Sequence, residues 1–145
     1  MIAFDTNLLI YAHREDVPQH AAARRVLERA IEQGRDCGIA LPSVAEFWSV
    51  ATHPLRGAAP DAIHRATVFL EMLFVEAEVA LWLPHEGFWR RLARVAADLR
   101  IQGGRIFDLQ IALIAFENGA SEIWTHDRNF STVPGLHVHD PLQAR

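Results

Sequence analysis

No lysine occurs in the sequence: all fourteen basic residues among its 145 are arginine. That absence counts against a group of phosphoryl-transfer designs. Phosphatases and receiver domains that phosphorylate an aspartate at the end of a first strand depend on a lysine to balance the phosphoryl charge, whereas arginine suits bidentate contacts to phosphate. Cysteine is almost missing too. With Cys37 alone there is no internal disulfide and no cysteine-based metal site, which fits a reducing cytoplasm. Beside Gly38 and Ile39, that thiol reads as part of a core. Half of the residues are hydrophobic, yet no uncharged run is long enough to span a bilayer. A secretory signal is not expected either, because Asp5 interrupts the first apolar run. A soluble cytoplasmic protein with no membrane partner is the expectation. The formal net charge of −4 leaves no global basic field, which counts weakly against a nucleic-acid partner and leaves any such contact to local arginines.

What is present alternates between short apolar runs and longer helical patterns, and the length fits one domain over 1–145. Ile2 to Phe4 reads as a strand, with a helix beginning at Leu8. Pro18 to about Gln33 is an amphipathic helix ended by Gly34, with Ala22, Val26, Leu27, Ala30 and Ile31 on its apolar face. "CGIALPS" reads as a second strand closed by Pro42, with Ser43 capping a helix from Val44 to about Thr52. The turn-rich "HPLRGAAPD" precedes a helix opened by Pro60 and Asp61 and reaching roughly Val75, apolar over more than one face, as a helix-lined groove or dimer surface would be. "VALWLP" is a third strand, followed by a helix from Glu86 to Leu99, a loop "RIQGGRI", and an apolar helix from Phe107 to Asn118 stopped by Gly119. "EIWTH" and "LHVHD" complete five strands. Strands separated by helices imply right-handed crossovers and a mostly parallel sheet covered on both faces. Phe47, Trp48, Phe69, Phe74, Trp82, Trp89 and Phe107 fall at core-like intervals.

Four of the eighteen acids do not lie on polar helix faces. Asp5 ends the first strand, Asp127 follows the fourth, Asp108 enters the first turn of "FDLQIALIAF", and Glu46 sits one turn into the helix after the second strand. In a parallel sheet, strand ends and the helix starts that follow them share one edge, so these carboxylates are expected to converge. Each has a plain alternative: Asp5 and Asp108 as helix-start acids, Asp127 as an Asx-turn residue. Glu46 among apolar neighbours is harder to explain that way. Clustered carboxylates repel one another, and an all-oxygen site with a hard cation, Mg²⁺ or Mn²⁺, is the economical counter-charge. Such an ion activates water and offsets charge growing on a phosphate, which points to phosphodiester hydrolysis. The eight histidines have no compact ligand spacing, so a zinc site is not expected.

Taken in order, "FDTNLLIYA", "PSVAEFWSV", "IFDLQIALIA" and "IWTHDRNF" resemble the motifs of PIN-domain ribonucleases, particularly the small VapC-type toxins of toxin–antitoxin pairs. The resemblance covers essentially the whole chain. It implies a three-layer α/β/α sandwich around a parallel sheet of order 3-2-1-4-5, with Asp5, Glu46, Asp108 and Asp127 as the acidic metal site. Thr6, Asn7 and Thr125 then occupy supporting polar positions. It further implies an RNA substrate, a homodimer and a cognate antitoxin protein. Gln110 stands where some relatives place small residues, which crowds the rim of the site, and Asn129 where some have another acid, a departure that favours one metal ion over two. Arg14, Arg105 and Arg128 are the candidates for gripping RNA phosphates. A catalytically silent relative that only docks a protein or RNA is the competing reading, opposed by retention of all four acids.

Overall fold

The computed structural model describes residues 1–54 and 60–143; most of the turn-rich stretch expected around 53–61 lies outside the described residues. Five strands, β1 (Ile2–Phe4), β2 (Cys37–Ala40), β3 (Ala80–Trp82), β4 (Glu122–Trp124) and β5 (His137–His139), form one parallel sheet in the order β3-β2-β1-β4-β5. This is the order the resemblance implies. Among the described residues six α-helices surround it: α1 (Thr6–His13), α2 (His20–Glu32), α3 (Leu41–Ala51), α4 (Ala62–Glu71), α5 (Phe88–Asp98) and α6 (Arg105–Glu117). Among the described residues no helix is long and apolar enough to cross a membrane.

The centre of the sheet is apolar on both sides because it is covered on both sides. Every residue of β1 and β2 is buried. Phe4, Leu8, Leu9, Leu27, Ile39, Phe47 and Leu73 belong to one core cluster, which gathers α1 to α4 on one face. The other face packs Ala3, Trp82 and Ile123 against Leu109, Ile111, Leu113 and Ile114 of α6, with α5 outside. Helix α6 is apolar nearly all round because it is enclosed. In β2, Gly38 is required by close packing: a Cβ there would collide with the Trp82 indole. Gly119, at φ 98°, takes the left-handed conformation that ends α6.

Several sequence-based boundaries are corrected. Helix α1 starts at Thr6, directly on Asp5, rather than at Leu8. Pro42 does not close a strand but sits in the first turn of α3, where its missing N–H costs nothing. Ser43 is therefore inside that helix and not its cap; its buried hydroxyl has no hydrogen-bond partner among the described residues. Arg105 and Ile106 belong to the first turn of α6, not to a loop. The helix expected to reach Val75 widens after Glu71 into a π-helical turn, Met72–Glu76. Of the aromatics read as core, Phe47 and Trp82 are buried, whereas Trp48, Trp89 and Phe107 are exposed. Trp89 instead lies under the Arg90 guanidinium, 5.3 Å from the ring centre.

Candidate functional site

Asp5 is the last residue before the chain turns from β1 into α1, and its backbone N–H donates to the Trp124 carbonyl of the adjacent strand at 3.0 Å. The β1–β4 pairing thus puts Asp5 beside Thr125, which is 120 positions away in sequence. Thr125 uses all of its hydrogen-bonding capacity here. Its hydroxyl donates to Asp5 Oδ2 at 2.7 Å and accepts from Asn7 Nδ2 at 2.8 Å and from the Asp127 backbone N–H at 3.1 Å. Asn7 Nδ2 also lies 3.2 Å from Asp5 Oδ2, while Asn7 Oδ1 accepts from the His126 N–H at 3.2 Å. The remaining oxygen of Asp5 accepts from Thr6 N at 2.8 Å. The capping interpretation of Asp5 is therefore correct as far as it goes, and both carboxylate oxygens are oriented.

Thr6 reaches the other way. Its hydroxyl donates to Glu46 Oε2 at 2.9 Å, tying α1 to α3. Asp108, in the first turn of α6, accepts from the Ser131 N–H at 3.5 Å, and the Ser131 hydroxyl accepts from Arg105 Nε at 2.9 Å. Asp127 accepts from the Asn129 N–H at 2.8 Å, an Asx turn of the kind its local sequence suggests.

Electrostatics link the four acids. Asp5 is only 6% exposed, and burial pushes its carboxyl up from 3.8 to about 6; the bonds from Thr125 and Thr6 hold it down, and the charges of Asp108 and Glu46 push it up further. Burial also raises Asp108, the Ser131 N–H opposes this, the Asp127 charge adds to it, and Arg105 relieves it. Glu46, Asp5, Asp108 and Asp127 thus form a connected series of repelling charges at the carboxyl edge of the sheet. Among the described residues, no three Asp, Glu, His or Cys side chains already stand close enough together to hold an ion. Glu46, Asp108 and Asp127 each rest on a hydrogen-bond donor of their own instead. As a donor set they offer only carboxylate oxygens, the chemistry of a hard divalent cation.

The supporting arginines divide. Arg105 stands beside Asp108, as its electrostatic effect requires, and Arg128 is exposed in the loop just after Asp127. Arg14 is not brought to the acids: it ends α1 in a two-pronged pair with Asp16, at 3.0 and 2.6 Å. Two contributors escape sequence reading. Ser131 sits in a polar loop with no periodicity, and Asp140, bound to His126 Nδ1 at 2.9 Å, looks like an ordinary strand-end acid. No spacing rule connects either with its partner.

A protein-family model described as the PIN domain matches residues 2–136. Ribonuclease VapC48 of Mycobacterium tuberculosis (strain ATCC 25618 / H37Rv) is 28% identical over 141 residues, covering 97% of each chain. Ribonuclease VapC43 of the same strain is 29% identical over 145 residues, covering 100% of this chain and 98% of its own. Among solved structures, VapBC2 from Rickettsia felis bound to a DNA fragment from its promoter superposes with a TM-score of 0.68 at 17% identity, over 96% of this chain and 98% of the other.

Proposed function

From the premise that the chain belongs to the PIN-domain family, we propose that it is a divalent-metal-dependent endoribonuclease, the toxin of a toxin–antitoxin pair. The observation that carries this reading is Asp5: a buried, fully oriented carboxylate within electrostatic reach of Asp108 and Glu46, whose repulsion a cation would relieve. Both mycobacterial relatives are named ribonucleases, which supports RNA as the substrate.

In this reading Asp5, Glu46, Asp108 and Asp127 hold Mg²⁺ or Mn²⁺. The bound ion lowers the pKa of water and offsets charge growing on the phosphate. Thr125, Asn7 and Thr6 keep the Asp5 oxygens aimed, as partners of metal ligands generally do. Glu46 Oε2 is engaged by Thr6, which leaves Oε1 to take a proton from the attacking water. Arg105 and Arg128 flank the acids and serve the phosphates of the substrate. The same reading includes a cytoplasmic location, a homodimer and a cognate antitoxin. Exposed Ile63, Val68, Met72 and Val75 on and after α4 support an apolar docking face for such partners.

Cleavage of a structured RNA by the purified protein tests the proposal. Cutting is expected with Mn²⁺ or Mg²⁺, to stop in EDTA and to return with excess Mn²⁺. Equal cutting in EDTA removes the metal. No cutting under any condition, with no heat on titrating Mn²⁺, leaves the silent docking module.

Thr125→Val is the sharpest probe of the support network. The shape is retained, but Asp5 loses a donor while Asn7 Nδ2 and the Asp127 N–H lose an acceptor. Denaturant titration should show a loss of about 1–3 kcal/mol. Initial rates should fall about 10–100-fold. A rate within twofold of the parent would show that the hydroxyl does not orient the site.

A further inference from the structure

Helix α2 and the edge strand β5 bound an open cleft of about 860 Å³ that the acid site does not use. Its lining includes the apolar side chains of Val26 and Val138, and Arg25, Arg29 and Arg35 with them. Arg25 and Arg29 are exposed, four residues apart on one stripe of α2, and neither pairs with an acid among the described residues. Like charges at that spacing weaken a helix. The neighbouring stripe of the same helix shows the usual remedy, an Arg24–Glu28 ion pair at 2.7 Å. The stripe lining the cleft has no such remedy.

Arg35, in the turn before β2, is held 5.3 Å over the Trp124 ring, with Glu122 3.8 Å away. Among the described residues the acid lining the cleft is Asp140, and it is already engaged by His126 Nδ1 and by the Leu142 N–H at 3.0 Å. Arg25 and Arg29 thus bring positive charge with no acidic partner among the described residues to a chain whose net charge is −4, and Arg35 adds a guanidinium shared with Glu122. The cleft also has a direction. Arg35 lies at the amino edge of the sheet, whereas Asp140 follows β5 at the carboxyl edge and grips His126, the residue between Thr125 and Asp127.

We propose that this cleft is a track for the backbone of single-stranded RNA flanking the cut bond, with Arg25, Arg29 and Arg35 holding successive phosphates; the proposal rests on the ribonuclease reading. Several cations spaced along one helix suit a chain of phosphates better than a single one, since one turn separates Arg25 from Arg29 by about 6 Å. Apolar and aromatic side chains in the same lining, Val26, Val138 and Trp124, suit unpaired bases, which a duplex would keep stacked inside.

The test is the salt dependence of binding, measured by fluorescence anisotropy of a labelled single-stranded RNA in EDTA, in an Asp5→Asn background that leaves the probe uncut. Each phosphate neutralised on a single strand adds about −0.7 to the slope of log K against log salt. Replacing Arg25 and Arg29 together by alanine should flatten the slope by about 1.4. Lysine at both positions should restore it, because the contact is to charge. Alanine is the best helix former, and melting curves check that the fold survives.

An unchanged slope in the alanine variant overturns the proposal. If the wild type nevertheless cuts the same RNA with Mn²⁺, the ribonuclease reading stands without this cleft. Arginine-dependent binding with no cutting keeps the cleft and removes the nuclease. Unchanged RNA binding, together with loss of capture by the co-expressed antitoxin, assigns the arginines to a protein partner and also overturns the proposal.

Discussion

Asp5→Asn is expected to lower RNA cleavage by about a thousandfold while removing a pH dependence from the stability of the metal-free protein. The activity loss follows from the proposed role. A bound ion supplies several kcal/mol of transition-state stabilisation, and losing about 4 kcal/mol of it corresponds to about three orders of magnitude in rate. The stability effect follows from burial. The Asp5 carboxyl stands at about 6 when folded against 3.8 for an ordinary aspartate, so the folded state binds the proton more tightly than the unfolded state does. Its charge therefore opposes folding: the penalty is absent below pH 3.8, grows as pH rises, and is complete above about 6, at about 3 kcal/mol.

Asparagine cannot ionise and escapes that penalty, but it brings a conflict. Both Thr125 and Asn7 point donors at Oδ2, and Thr6 N points one at Oδ1, so an amide NH₂ in either place faces a donor. That mismatch costs about 1–3 kcal/mol and does not vary with pH. Denaturant titrations in EDTA at pH 4.5 and 7 should show the variant gaining about 2 kcal/mol relative to wild type between the two pH values, whatever its absolute stability. Cleavage within tenfold of wild type would remove Asp5 from the chemistry. A stability difference that does not change with pH would show that its charge is not penalised in the fold.

Manganese affinity should fall steeply as pH drops through about 6, the value to which burial and neighbouring charge raise Asp5. A protonated carboxyl must lose its proton before it can bind an ion, so affinity declines about tenfold per pH unit below that point. Asp108 is raised as well, so the decline steepens once it also takes up a proton. The sign reverses the stability argument: the ion removes the repulsion that destabilises the empty fold at neutral pH. At a hundred times its dissociation constant it adds about 2.7 kcal/mol, close to the penalty carried by Asp5. Calorimetric titration with Mn²⁺ at pH 5, 6, 7 and 8 measures both the affinity and its slope. Constant affinity from pH 5 to 7 would show that Asp5 is not a ligand.

The sequence by itself determined the alternation of strands and helices, and with it the parallel sheet. Buried parallel strands must be apolar throughout, as "IAF" and "CGIA" are, and covering helices show a periodic face. It also singled out Asp5, Asp108 and Asp127, which follow a strand or enter a helix start, and Glu46, which lies midway along α3. Local chemistry was less legible. Pro42 and Ser43 read equally well as a strand end and cap or as a helical first turn, and only the packing of α3 selected the second.

The tertiary structure alone decided how the acids are supported and which arginines are free. Asn7 and Thr125 are 118 positions apart, and Arg105 and Ser131 are 26 apart; the β1–β4 pairing brings the first pair within hydrogen-bond reach, and the placement of α6 beside the loop after β4 brings the second. Arg14 and Arg29 look alike in sequence, yet one is paired with Asp16 and the other lines an open cleft. The physical reason is that apolar patterning specifies which face of an element is buried, a property of one segment. A hydrogen bond or ion pair depends on the distance between two segments, which is set only when the sheet order places them side by side.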